Sequence, residues 1–392
     1  MNNIKLIAIL IFVASCSSES SQIKFESLLD SEWSKIVNDN PVYASSMGDL
    51  SQNTKWSDTS VEKIYSDHQD QLAVLNQLDE LDISDFTEEN KVNYLLFKQQ
   101  YENSIESHAY KTFLIPFSHR GGIQLQHETT SIVPLRNKQH YLDWIERISK
   151  IDVLVDAAIE KAKIGIAEEI VPPRFLMQKV YKQIELQAFV EPKDSPFYRA
   201  FLEMDRSIDS DGVQEIQQKA LNVIKSKVIP AYLKLHRFFK DEYLPACRKS
   251  IGIKEIKNGK EYYEFLARKF TTTKLTPKEI HEIGLAEVTR IRDEMDAIIK
   301  EVKWEGTFKS FLNDLRTNPK FYYETPEELF ESYLATSKRI DPELVKLFKV
   351  LPSMPYGLKP IPMESAPDTT TAYYQRPAAD GSRAGYYYVN LY

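Results

Sequence analysis

Apolar residues recur at helical spacing through most of the chain. From Ile23, the positions Phe25, Leu28, Leu29, Trp33, Ile36 and Val37 follow the 3.6-residue repeat, and Asn40-Pro41 ends the run. The same periodicity predicts helices over residues 61–81, 87–105, 138–166, 174–189 and 213–239. Pro172-Pro173 interrupts the pattern, and Pro230 removes a backbone donor inside the last segment, which predicts a bend there.

A sharper helix start lies at Thr276-Pro277-Lys278-Glu279. A cap hydroxyl, a proline at the first helical position and a glutamate three residues after the cap satisfy the first backbone donors. Ile280, Ile283, Val288, Ile291, Met295 and Ile298 follow as one expected buried face. Thr325-Pro326-Glu327-Glu328 repeats the signal before Leu329, Tyr333 and Leu334, and these glutamates read as complements to the helix dipole.

After Leu351 the pattern changes. Pro352, Pro355, Pro360, Pro362 and Pro367 exclude a continuous helix, so this stretch is expected to run extended across other structure. Tyr373-Tyr374 and the run Tyr386-Tyr387-Tyr388-Val389 flank a turn region, residues 377–385, that contains Asp380-Gly381. That is a β-hairpin pattern in an otherwise helical chain. The close on Val389-Asn390-Leu391-Tyr392 reads as a cut just after an apolar edge strand, which would normally need cover, so exposed apolar surface is expected around residues 386–392. The fold class is therefore mainly α, a large multi-helix fold with a small β-hairpin near the C-terminus, read as incomplete.

Composition keeps this within the globular range: 392 residues, 42% hydrophobic and 27% charged. A net charge of −7 and no clustered Lys and Arg argue against a nucleic-acid partner. Lys5 precedes an apolar run from Leu6 to Ala14, and Val13-Ala14-Ser15 sets small residues before Cys16, as in a signal peptide too short to span a membrane. The arrangement resembles the bacterial lipobox, which implies cleavage before Cys16 and lipid attachment to it. The organisation expected is residues 1–15 as signal peptide, 16–22 as lipid-anchored tether, 23–350 as helical domain and 351–392 as the Pro/Tyr-rich extended segment with the hairpin. Ser17 and Ser18 after the cysteine imply a cell-envelope lipoprotein at the outer membrane, facing the periplasm. Cys247, the other cysteine, then has no partner in the chain and reads as a packed thiol.

Catalytic motifs are incomplete. His281-Glu282 would need a second histidine one turn on to make a zinc-binding face, but Leu285 stands there, so His281 is expected to be packed and hydrogen-bonded. His127-Glu128 is followed by Thr129-Thr130-Ser131 and fails the same test. Ser60-Val61-Glu62-Lys63 matches Ser-x-x-Lys only in form, and no Gly-x-Ser-x-Gly elbow is present.

Three local patterns occur together: Phe25-x-x-Leu28-Leu29 leading to Asn40-Pro41 and Met47-Gly48-Asp49; Leu275-Thr276-Pro277-x-Glu279-Ile280-His281-x-Ile283-Gly284-Leu285 with Arg290-Ile291 and Glu294-Met295; and Tyr373-Tyr374 before Asp380-Gly381-Ser382-Arg383 and Tyr388-Val389-Asn390-Leu391-Tyr392. Together they resemble the domain of unknown function 885 family, whose members are commonly secreted or lipid-anchored and are grouped with zincin-like metallopeptidases akin to carboxypeptidase Taq. The resemblance implies a zincin-like, gluzincin-type helical fold with a deep cleft and a peptide substrate.

It also implies a zinc motif, His-Glu followed by Gly-His-His, shortly after the equivalent of residues 390–392. That motif is absent from this sequence, so no metal ligand or catalytic residue is assigned and no zinc is expected on this chain. The implied role is the cleft-forming part of a zinc-dependent, peptidase-like hydrolase, inactive as it stands. Tyr373, Tyr374, Tyr386, Tyr388 and Asn390 are the substrate-cleft candidates, with the run 386–390 expected as an edge that takes up extended substrate. A non-catalytic helical envelope lipoprotein that binds peptides or a protein partner is the alternative. A helical glycan-processing enzyme has only scattered carboxylates to support it.

Overall fold

The structure is a computed structural model, and it describes residues 20–361, 366, 370–378, 381 and 383–392. Cys16 and the leader before it lie outside these residues, as do Asp380 and Ser382 of the turn region.

The first layer is built by α1 (Ser21–Asp39), α2 (Pro41–Met47), α3 (Val61–Asp79) and α4 (Glu88–Ala109). Ser20, Ser60 and Thr87 cap α1, α3 and α4 with their hydroxyls. Pro41, which ends α1, is the first residue of α2, where its missing N–H costs nothing. Gly48 closes α2 at φ 101°, a left-handed position that favours glycine. Phe25, Val74, Leu78, Phe86, Tyr94 and Tyr101 form a small core between α1, α3 and α4. Phe25 lies 5.5 Å from the Phe86 ring and 5.8 Å from Tyr94.

The main core belongs to α5 (Lys138–Ile148), α6 (Ile151–Ala167), α7 (Arg174–Ala188), α8 (Ser210–Val223) and α9 (Ile229–Phe238), with Trp144, Ile148, Val180, Phe197, Phe201 and Tyr232 among its buried side chains. The single helix expected over 138–166 is two. Lys150 leaves the helical region at φ −104°, ψ 16°, and its Nζ bonds the Thr54 carbonyl at 3.1 Å. Apolar spacing gives no sign of this break, because Ile148 and Ile151 fall on one face in either case.

Between α8 and α9 the backbone widens into a π turn over Ile224–Val228, just ahead of Pro230, and a second π turn spans Phe239–Tyr243 before the short α10 (Leu244–Ala246). The missing proline donor is thus accommodated by a changed ladder. Cys247 is buried and unpaired, as its sequence context indicates, and burial pushes its thiol up to about 12.

One buried charge ties the two layers together. Arg147 on α5 is fully buried, and its Nη2 donates to Ser45 Oγ at 2.9 Å and to the carbonyls of Gln52 and Pro41 at 3.4 and 3.5 Å. Trp56 donates its indole N–H to the Arg147 carbonyl at 2.7 Å and offers its ring face to the guanidinium. Burial lowers the Arg147 pKa to about 10. The loop 48–56 is fixed to α5 through this cation.

α11 (Gly259–Thr271) starts where the chain approaches itself so closely that a Cβ on Gly259 would stand 2.3 Å from the Ile253 carbonyl oxygen. Its Phe265 stacks on Tyr110 just beyond α4. α12 (Pro277–Glu301), α13 (Phe308–Thr317) and α14 (Pro326–Ile340) follow. The capping box of α12 is complete: Thr276 Oγ1 accepts from the Glu279 N–H at 3.3 Å, and Glu279 Oε2 accepts from the Thr276 N–H at 2.8 Å. These bonds hold the Glu279 carboxyl below its usual range, which fits a capping role. At Thr325 the hydroxyl cap is present, but Glu328 reaches one residue further back, to the Glu324 N–H.

The buried face expected on α12 is corrected by the structure. Val288 is 67% exposed and Ile298 52%, with Ile283, Ile291 and Met295 also open, and within residues 277–351 only Ile299 joins the buried apolar side chains. The start and the apolar period of α12 are local properties, but a covering layer has to come from elsewhere. His281, expected to be packed, is exposed on the same helix.

The chain closes with β1 (Tyr356–Pro360), β2 (Ala372–Gln375) and β3 (Gly385–Val389) in the order β1-β3-β2. The predicted hairpin is present as the antiparallel β2–β3 pair, with Tyr373 opposite Tyr388. β1 comes from the proline-rich stretch expected merely to run extended, and it pairs with β3 in parallel. Pro355 and Pro360 bracket this strand, so the donors between them stay available. β3 is therefore central, and the expectation that residues 386–390 form a substrate-binding edge is corrected: both sides of β3 are occupied.

Candidate functional site

Pleating divides the cleft candidates between two faces. Tyr373, Tyr386 and Tyr388 share one with Gln375 and Lys359, while Tyr374 and Tyr387 point to the other with Val389. Tyr373 and Tyr388 stack at 4.8 Å with 13° between planes, and Tyr386 meets Tyr388 edge-on at 6.4 Å. The Tyr388 hydroxyl reaches Gln375 Oε1 at 3.4 Å, and Lys359 Nζ sits 3.8 Å from the Tyr386 ring centre. This face is a three-tyrosine platform bordered by one amide and one ammonium.

Tyr374 is not part of that platform. Its hydroxyl lies over Gly385, where a Cβ would stand 2.0 Å away, so glycine at 385 lets the ring cross the strand. Asn390 is spent on the chain itself. Its Nδ2 donates to the Ala366 and Thr370 carbonyls at 2.8 and 3.3 Å, and its Oδ1 accepts from the Tyr392 N–H at 2.9 Å. Beyond the sheet, Ala378 and Arg383 come beside Ser46, Ile132 and His140 of the helical body around a crevice of about 190 Å³.

A second concave region was not anticipated. A cavity of about 860 Å³ opens between α3 and α4, with His68, Gln71, Gln100, Asn103 and His108 on its walls and Phe270 at its rim. The imidazoles of His68 and His108 stack at 3.9 Å with 7° between planes, and Phe113 covers the outer side of His108. Burial, followed by the neighbouring His68, holds His108 below the usual histidine pKa. The two histidines lie forty positions apart on separate helices, a separation at which no short motif can register them.

A smaller cavity of about 240 Å³ adjoins it, sharing Asp67 and Gln71. There Lys35 bonds Asp39 at 2.8 Å and Asp67 and Asp70 at 3.2 Å, which raises its pKa through the Asp39 bond first. Lys63 joins the network at Asp39, 2.8 Å away.

His127 and Glu128 sit in a different setting. His127 Nδ1 meets Gln187 Nε2 at 3.0 Å beside the Phe197 ring, and burial brings its pKa down to about 4. Among the described residues, no three His, Cys, Asp or Glu side chains converge as metal ligands would, so these residues do not fit a zinc ion.

Residues 41–392 match the family described as bacterial protein of unknown function, DUF885. The chain belongs to the DUF885 family. Its fold is also similar to that of a solved protein described as "the putative lipoprotein from Colwellia psychrerythraea", with a TM-score of 0.84 at 22% identity. The match covers 95% of this chain and 68% of that one. No curated protein matches the chain. Of the patterns quoted from the C-terminal half, Leu275–Leu285 runs into the start of α12, and Tyr373-Tyr374 and Tyr388-Val389 lie in β2 and β3. No helix among the described residues is long and apolar enough to cross a membrane.

Proposed function

We propose that this DUF885 chain supplies the peptide-facing wall of a peptidase-like hydrolase held at the cell envelope by a lipid on Cys16. The stacked platform of Tyr373, Tyr388 and Tyr386 carries this reading. Aromatic faces ringed by an amide and an ammonium give an extended peptide both apolar contact and hydrogen-bond partners. The likeness to a Colwellia protein described as a lipoprotein supports the envelope location. The zinc chemistry implied by the family resemblance has no ligand set among the described residues, and no step is assigned to it.

The test uses the chain itself. Peptide binding measured by calorimetry should fall at least about tenfold in Tyr388→Ala, with the unfolding transition little changed, and should persist in Tyr374→Ala, whose ring lies on the opposite face. Equal loss of binding and stability in Tyr388→Ala would make the platform a packing layer and sink the reading. A second reading, an envelope lipoprotein that binds a protein partner without catalysis, is favoured by the exposed apolar side of α12. Turnover of a peptide library by the lipidated protein would exclude it.

A further inference from the structure

The wall of the cavity between α3 and α4 is polar and almost without charge. Gln99, Gln100, Asn103, Ser104, Ser107 and His108 stand at i, i+1, i+4, i+5, i+8 and i+9 of α4, one continuous helix face about 14 Å long at 1.5 Å per residue. Glu102 and Glu106 belong to the same stretch but do not line the cavity. Gln71 of α3 lines it from the other side, and its Oε1 accepts from Ser104 Oγ at 3.0 Å. The carboxamides of Gln99, Gln100 and Asn103 bond no other group among the described residues, so their donors and acceptors stay available to a ligand.

The two formal charges at this wall are already engaged. Asp67 pairs with Lys63 and, at 3.2 Å, with Lys35, and the Lys269 ammonium lies 5.7 Å over the Phe265 ring. An ion entering the cavity would lose hydration without meeting converging counter-charges. Burial keeps His108 below the usual histidine range, so near neutral pH it offers one donor and one acceptor and no charge.

We propose that this cavity binds a neutral oligosaccharide. Sugar hydroxyls both donate and accept, and a carboxamide, which carries both functions side by side, can meet two neighbouring hydroxyls at once. Phe270, 77% exposed at the rim, offers an aromatic face to the C–H side of a sugar ring. A volume of about 860 Å³ lies in the upper part of the usual range for ligand pockets, about 300–1,000 Å³, and leaves room for more than one ring. A peptide is the weaker fit: helices α3 and α4 present no free strand edge, and the cavity has no row of apolar anchors. The assigned role is binding, because Asp67 is the one carboxylate among the lining residues and glycoside hydrolysis calls for a pair. The inference stands apart from the peptide-binding reading, since the cavity shares no residue with the tyrosine platform.

The experiment selects the tightest neutral trisaccharide on a glycan array and titrates it calorimetrically into the whole chain, beside inorganic phosphate and a blocked tetra-alanine peptide. Gln99→Leu/Gln100→Leu removes two carboxamides at nearly constant size, and Phe270→Ala removes the rim ring. Gln69→Leu removes an exposed carboxamide of α3 that does not line the cavity. Residues 69, 99, 100 and 270 are all exposed, so circular dichroism should show unchanged folding.

The expected result is trisaccharide binding at about millimolar affinity or tighter, weakened at least about tenfold in the double variant and about threefold in Phe270→Ala, and unchanged in Gln69→Leu. An array without a neutral binder, or binding that the double variant leaves intact, overturns the proposal. Phosphate or tetra-alanine binding that the double variant abolishes also overturns it and gives the cavity to an anion or a peptide.

Discussion

Val228 and Val288 are both valines on the apolar sides of helical segments, and they end in opposite environments. Val228 is fully buried in the π turn between α8 and α9, whereas Val288 on α12 is 67% exposed. The contrast holds for the regions around them. Helices α5 to α9 enclose Trp144, Phe197, Phe201 and Tyr232, while α12 to α14 keep good caps and clear amphipathic stripes with little to pack against. Amphipathicity shows that a helix has a side to bury, and burial itself needs a second surface.

The most forceful test of this contrast compares truncations across the two regions. Phe197→Ala should cost about 3–5 kcal/mol in urea unfolding, the usual penalty for removing a buried aromatic ring. Val288→Ala should stay within about 0.5 kcal/mol, as exposed substitutions do. A Val288→Ala cost matching that of a core truncation would show that α12 is covered in solution by this chain alone.

Arg147→Met comes next, at about 1–3 kcal/mol, because Ser45 Oγ and two carbonyls lose their buried donor even as a buried charge is removed. Hydrogen exchange should quicken over residues 41–56 while α12 is unaffected. Exchange that quickens equally in both regions would mean the two fold as one cooperative unit.

His127 sharpens the comparison through pH. Its folded pKa of about 4 lies below the ordinary histidine value near 6.5, so the unfolded chain binds the proton more readily between those limits. Stability of the main core should therefore rise with pH from about 4 to 6.5, by at most about 1.4 kcal/mol per pH unit from this residue. His127→Gln should flatten that slope. An unchanged slope would assign it to other groups.

Thr276→Ala acts on one helix end alone. Losing the cap should cost α12 about 1 kcal/mol, visible as faster amide exchange in its first turn, with no shift in the main unfolding transition.

Much of the local structure was legible in the sequence. The caps at Thr276 and Thr325, the proline start of α12 and the β2–β3 hairpin follow from interactions within a few residues. The candidate site was legible only in part. Alternation correctly pairs Tyr386 with Tyr388, but it says nothing about which face Tyr373 and Tyr374 would share with them, because that depends on register across the hairpin. Exposed apolar surface, expected mainly at residues 386–392, is more extensive along α12, while Val389 is fully buried and Tyr392 is 78% exposed.

By itself, then, the sequence determined where the helices with Thr-Pro caps begin, which residues alternate across a strand and which apolar positions fall in line, since each depends on backbone donors and side-chain period within one segment. Only tertiary structure decided that β1 joins β3 and makes it central, that Arg147 reaches α2 and the 48–56 loop, that His68 lies on His108, and that α12 keeps its apolar side open. Each of those outcomes depends on which distant surface arrives at a position, and contact between segments forty or a hundred residues apart leaves no periodic mark on either one.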